Sequence, residues 1–216
     1  KRDWSSDVCS SDLGPTTVTE GTLELNGGLG GVVNVNPGTR FILNGTLGLP
    51  GALGAGVNVA PLGAFVMNGL VNGDLNLGAG GIFNLAGTVG GNLNLAGTAG
   101  VGAPGSTATS FNARALNLRP EAASTVPSLL VNGNLVTSPG SALAMKLAEG
   151  GAPPIAVNGK ATLTGTHLSF DIADPSRAAT YTALTTVGGI AASTNDFTTP
   201  TSNLQAAVKT SADQKS

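Results

Sequence analysis

Apolar residues recur at every sixth position along the first half of the chain. Counted from Leu23, the series is Leu23, Leu29, Val35, Phe41, Leu47, Leu53, Val59, Phe65, Val71, Leu77, Phe83, Val89, Leu95 and Val101, with no polar member. Chance would give such a run in about one phase in a million. An even period fits the in-and-out alternation of a strand and drifts out of phase with a 3.6-residue helix. Short strands separated by tight corners are therefore predicted, rather than helices.

A coarser repeat lies over the first. The pattern apolar-Asn-apolar recurs as Val33-Asn34-Val35, Val57-Asn58-Val59, Leu75-Asn76-Leu77 and Leu93-Asn94-Leu95, at spacings of 24, 18 and 18. A second pattern, Leu23 to Gly27, Phe41 to Gly45, Phe65 to Gly69 and Phe83 to Gly87, is spaced 18, 24 and 18. Both agree with an 18-residue unit in which one copy carries six extra residues, most simply Leu49 to Gly54. A unit so short cannot bury its own apolar face, so successive units must stack. The fold class that follows is all-β, a parallel β-helix (β-solenoid). In it Asn34, Asn58, Asn76 and Asn94 form an outward amide ladder, and Phe41, Phe65 and Phe83 form a core stack. Phe65 and Phe83 are expected to stack at a spacing of about 4.8 Å. Gly27, Gly45, Gly69 and Gly87 are expected to supply positive φ at the corners.

The distribution of charge agrees with stacked units. Only 22 residues are charged (10 Lys+Arg, 12 Asp+Glu), and between Leu25 and Ala113 the only charges are Arg40 and Asp74. Stacked units would hold like charges about 5 Å apart at every turn, and Asn, Thr and Gly avoid that repulsion. A net charge of −2 without clustered Lys or Arg gives no basis for nucleic-acid binding. No apolar run reaches the roughly 18 residues of a membrane-spanning helix.

Lys1 to Leu13 stands apart: it has no Gly and holds the only Trp (Trp4) and the only Cys (Cys9). Its residues Asp3 to Leu13 resemble a translated short-read sequencing adapter, so residues 1–13 are expected to be an artefact, disordered and no part of the fold. Without Cys9 there is no thiol chemistry and no disulfide to consider.

From Gly102 the period fails, and 102–127 reads as an irregular loop or coil with Pro104, Pro120 and Pro127. Strand-like runs resume: Leu130 to Leu135, Gly140 to Leu147, Ile155 to Thr166, and Tyr181 to Ile190 with Phe197 after it. In that order these motifs, over about Val131 to Phe197, resemble the C-terminal autochaperone end of an autotransporter passenger domain, and the upstream Gly/Asn/Leu coils are similar to that family's repeats. Asn195-Asp196-Phe197 departs from the Gly-x-Phe usual there. The resemblance implies a right-handed helix exported through the periplasm and outer membrane to the Gram-negative cell surface. Its implied partner is a C-terminal β-barrel translocator, which is missing from this chain. It also implies that the terminal coils fold first. The organisation expected is 14–101 repetitive solenoid, 128–205 autochaperone-like segment and 206–216 polar tail.

Catalytic chemistry has little to stand on. The single histidine, His167, lies near Ser169 and Asp171, but alternate strand residues point side by side rather than converging into a triad. Asp171 and Asp174 could pair as carboxylates, although Asp174-Pro175 reads better as a turn. Asn44-Gly45-Thr46 matches a glycosylation sequon. No His/Cys/Asp grouping has metal-ligand spacing, and no cofactor is expected. The left-handed hexapeptide β-helix, often an acyltransferase fold, is the alternative for the period of six; its chemistry needs a histidine near the coils, and the repeats have none. The reading is therefore a non-enzymatic stalk. The alternative is an adhesin or self-association module binding host or neighbouring cell surfaces through the solenoid face.

Overall fold

The structure, a computed structural model, describes residues 14–49, 55–101, 127–147, 149–172, 180–193 and 196–198. Among these there is no helix, and every strand pairing is parallel. The strands fall into three sheets visited in rotation. Sheet A stacks β1 (Thr16–Val18), β4 (Val33–Val35), β7 (Val57–Val59), β10 (Leu75–Leu77), β13 (Leu93–Leu95), β16 (Leu135–Thr137), β19 (Ala161–Thr164) and β22 (Ile190–Ser193). Sheet B stacks β2 (Thr22–Leu25), β5 (Arg40–Leu43), β8 (Ala64–Met67), β11 (Ile82–Leu85), β14 (Thr98–Val101), β17 (Ala142–Leu147), β20 (His167–Ile172) and β23 (Asp196–Thr198). Sheet C stacks β3 (Gly28–Leu29), β6 (Thr46–Leu47), β9 (Leu70–Val71), β12 (Gly87–Val89), β15 (Leu129–Val131), β18 (Ile155–Val157) and β21 (Leu184–Thr186). One strand from each sheet makes one turn of a parallel β-solenoid.

The period of six is the period of the three sides. Phe41 sits in sheet B, Leu47 in sheet C and Val59 in sheet A, and each points into the core. Every described member of the series from Val35 to Leu95 is less than 5% exposed. Leu23 and Leu29, in the first turn, are only partly buried because nothing described stacks beyond them. Leu53 lies outside the described residues.

The register locates the six extra residues. Val33 pairs with Val57, whereas Val57 pairs with Leu75 and Leu75 with Leu93. Nine residues separate β6 from β7, against three between β9 and β10. A Cβ placed on Gly48 (φ +88) would lie 2.6 Å from the Cβ of Ala55, so the chain leaves and rejoins the turn at adjacent points. Leu49 is half exposed at the departure, and 50–54 lie outside the described residues.

Glycine at the B-to-C corner has a different cause from the one expected. Of Gly27, Gly45, Gly69 and Gly87, only Gly87 has positive φ, at 111°. The shared reason is close approach between turns. A Cβ on Gly45 would lie 1.9 Å from the carbonyl oxygen of Gly27, on Gly69 2.0 Å from that of Gly45, and on Gly87 2.1 Å from that of Gly69. Gly27, in the first turn, meets nothing within 4 Å.

The two halves of the chain share one set of sheets. β15 stacks on β12, β16 on β13 and β17 on β14, so 102–126 is an interruption inside the fifth turn, between β14 and β15. Leu129, Leu143, Ile155 and Phe170 belong to the same hydrophobic cluster as Phe41 and Phe65. The irregular segment expected at 102–127 lies, apart from Pro127, outside the described residues, as do 1–13, Asp174-Pro175 and the 206–216 tail.

Candidate functional site

Sheet A turns its apolar residues inward, so its middle residues face solvent. There Asn58 Nδ2 donates to Asn34 Oδ1 at 3.1 Å, Asn76 Nδ2 to Asn58 Oδ1 at 2.9 Å, and Asn94 Nδ2 to Asn76 Oδ1 at 2.7 Å. Parallel in-register stacking brings each Asn above its equivalent despite sequence spacings of 24, 18 and 18. The column continues as Val136, where the ladder stops.

Further ladders run along the corners, beside glycines. At the B-to-C corner Asn44 Nδ2 donates to Asn26 Oδ1 at 2.9 Å and to Glu24 Oε1 at 3.0 Å, and Asn68 Nδ2 donates to Asn44 Oδ1 at 2.9 Å. Asn68 Oδ1 is buried without a hydrogen-bond partner, because the next turn places Ala86 there. Asn158 Nδ2 donates to Asn132 Oδ1 at 2.9 Å. At the C-to-A corner side-chain oxygens cap the backbone of the following turn: Asn92 N donates to Asp74 Oδ1 at 2.7 Å, Asn134 N to Asn92 Oδ1 at 2.9 Å, and Lys160 N to Asn134 Oδ1 at 2.8 Å. The signals for these ladders in the sequence are the recurring Asn-Gly pairs at the B-to-C corner and the Gly-Asp and Gly-Asn pairs at the C-to-A corner.

Beside the sheet A ladder runs an open groove of about 340 Å³. The amides of Asn34, Asn58, Asn76 and Asn94 form one wall, and Asn36, Ala60, Gly78, Ala96 and Ser138 form the corner beside it. An Asn amide has two N–H donors and two lone pairs, and a ladder rung uses one of each along the axis. Each inner rung thus keeps a donor and an acceptor for the outside. The lining carries no ionisable group. Such a surface can hydrogen-bond a neutral polar partner and cannot exchange protons with it.

Phe41, Phe65 and Phe83 are all fully buried in sheet B. The stacked ring pair is Phe41 with Phe65, at a centroid distance of 5.4 Å and an interplanar angle of 21°. Phe83 is the register partner of Phe65, and its ring lies where a Cβ on Gly81 or Gly97 would be. His167, Ser169 and Asp171 file along the outer side of β20, alternating with buried Leu168 and Phe170. Their register partners on β17 are Ala142, Ala144 and Lys146, and on the other side the β23 backbone places Asp196 beside His167. None of the three lines the groove. Among the described residues no group of three His, Cys, Asp or Glu is placed to hold a metal ion, and no helix is long and apolar enough to cross a membrane. No protein-family model, curated protein or solved structure matches this chain.

Proposed function

We propose that this chain is a non-enzymatic stalk segment of a surface-displayed, autotransporter-type passenger, a right-handed helix whose terminal turns act as the folding template for those before them. The observation that carries this reading is the unbroken passage of three parallel sheets from the repetitive half into the 128–205 segment. Parallel pairing closes separations of 16 residues or more per strand, a slow step that a preformed terminal edge accelerates. Deletion of 128–205 from a chain fused ahead of an outer-membrane β-barrel tests it. Surface display, read by external protease, is expected to be lost, and 14–101 alone is expected to refold slowly or not at all. Rapid independent refolding of 14–101 with undiminished display overturns the template role.

The groove beside the Asn ladder favours a second reading, an adhesin face. Replacing Asn34, Asn58, Asn76 and Asn94 with Asp separates the two at a pH where circular dichroism shows the sheets intact. Adhesion or aggregation of displaying cells falls if that face binds, and is unchanged if the segment only spans distance.

A further inference from the structure

The described residues contain six Asn-Gly pairs: Asn26-Gly27, Asn44-Gly45, Asn68-Gly69, Asn72-Gly73, Asn132-Gly133 and Asn158-Gly159. This dipeptide is the one most open to self-modification, because glycine has no side chain to hinder attack by its own backbone nitrogen. In that reaction the deprotonated Gly nitrogen attacks the Asn Cγ, an N–C bond forms, and the Cγ–Nδ2 bond breaks with loss of ammonia. Water then opens the five-membered succinimide at either carbonyl to give Asp or isoaspartate. The turn must bring the Gly nitrogen onto Cγ, so hydrogen bonds that hold either the Gly N–H or the departing amide oppose it.

The six sites differ in how they are held. At Asn44 both ends are fixed: Nδ2 donates to Asn26 and Glu24, and Gly45 N donates to Leu25 O at 3.2 Å. Asn158 is alike, with Nδ2 on Asn132 Oδ1 and Gly159 N on Gly133 O at 3.0 Å. Three sites have one end fixed. Asn68 and Asn72 donate Nδ2 to Asn44 Oδ1 and Gly48 O, and at Asn132 it is Gly133 N that is held, by Gly91 O at 2.9 Å. Asn26 has neither. It only accepts in its ladder, no hydrogen bond is seen from Gly27 N, and both residues are exposed in the first turn.

We infer that Asn26-Gly27 is a self-deamidation site, and that the amide ladders rank the other five behind it, Asn44 and Asn158 last. With about 1 kcal/mol for each hydrogen bond that must be broken, the sites held at both ends should react on the order of tenfold or more slower than Asn26. Modification at Asn26 sets a carboxylate beside Glu24 at the foot of its ladder.

Peptide mapping by mass spectrometry of the 216-residue protein, incubated at pH 8 and 37 °C, tests the ranking. Folded protein should convert Asn26 first, then Asn68, Asn72 and Asn132, with Asn44 and Asn158 last. In concentrated urea, where every pair keeps the same Gly neighbour but loses its ladder, the six rates should draw together. Asn132→Ala, which removes the acceptor for Asn158 Nδ2, should accelerate conversion at Asn158 in folded protein. Equal rates in the folded state, an interior site reacting before Asn26, or the same ranking surviving in urea would overturn the proposal.

Discussion

At the scale of single residues, the corner glycines show why a residue type can be legible when its reason is not. The sequence marks Gly27, Gly45, Gly69 and Gly87 by their spacing, but one chain cannot say whether a glycine serves torsion or proximity. The structure chooses proximity, since a Cβ on Gly69 would overlap the carbonyl oxygen of Gly45 at 2.0 Å. Gly69→Ala should therefore destabilise by about 3 kcal/mol or more, near the severe end for one substitution. Gly27→Ala, with open space and no positive φ, should be neutral or stabilise by roughly 0.4–1 kcal/mol through the unfolded chain. Urea denaturation midpoints distinguish the two. The ladder residues differ in the same graded way. Asn76→Ala breaks two rungs and should cost about 1–2 kcal/mol. Asn68→Ala releases one rung but also removes a buried acceptor that has no partner, so its midpoint should move by less than about 0.5 kcal/mol.

At the scale of the element, the strands were readable where each turn repeats. The series from Val35 to Leu95 identified inward residues because six residues make one side of the coil. Beyond Val101 the coil goes on while the period does not, because the corners lengthen: Leu93 pairs with Leu135, Leu135 with Ala161 and Ala161 with Ile190. Period counting detects strands of equal spacing, so the later turns could be seen only as isolated runs. Alternation likewise reports which way a residue points and not what lies above it, and outward-pointing Val66 and Asn84 are nevertheless buried. For the candidate site, the four sheet A amides were legible from the apolar-Asn-apolar motif. The groove beside them was not, since its corner residues Asn36, Ala60, Gly78, Ala96 and Ser138 share no chemical type. The six-residue insertion offers a test at this scale. Joining Gly48 directly to Ala55 by deleting 49–54 restores three residues between β6 and β7, the same as between β9 and β10. Such a protein should fold with a stability within about 1 kcal/mol of the parent, because loop length enters closure entropy only logarithmically. Loss of cooperative thermal unfolding in the deletion protein would contradict that register.

For the whole molecule, the eight stacked strands described in sheets A and B, about 4.8 Å apart, extend to roughly 34 Å along the axis, and near-neutrality is what lets identical positions stack. The quadruple variant Asn34, Asn58, Asn76 and Asn94→Asp makes this measurable. Carboxylates stacked about 4.8 Å apart repel by about 1 kcal/mol per neighbouring pair even in water. Crowding raises their folded pKa above the unfolded value, so the folded state holds protons more tightly. The penalty should be absent at pH 3, grow as pH rises through about 4, and approach 3 kcal/mol at pH 7 for three neighbouring pairs. The parent should show no such loss; denaturant midpoints at both pH values provide the check. The ladders also share a sense of direction. In every rung the later turn donates and the earlier turn accepts, from Asn94 back to Asn34, from Asn68 back to Asn26 and from Asn158 back to Asn132. Aligned amide dipoles add, as peptide dipoles do along an α-helix, so the solenoid carries a positive and a negative pole although the described chain has no helix. The few charges near the ladders obey that polarity. Glu24 and Asp74 stand where the donors point, at the N-terminal feet of their columns.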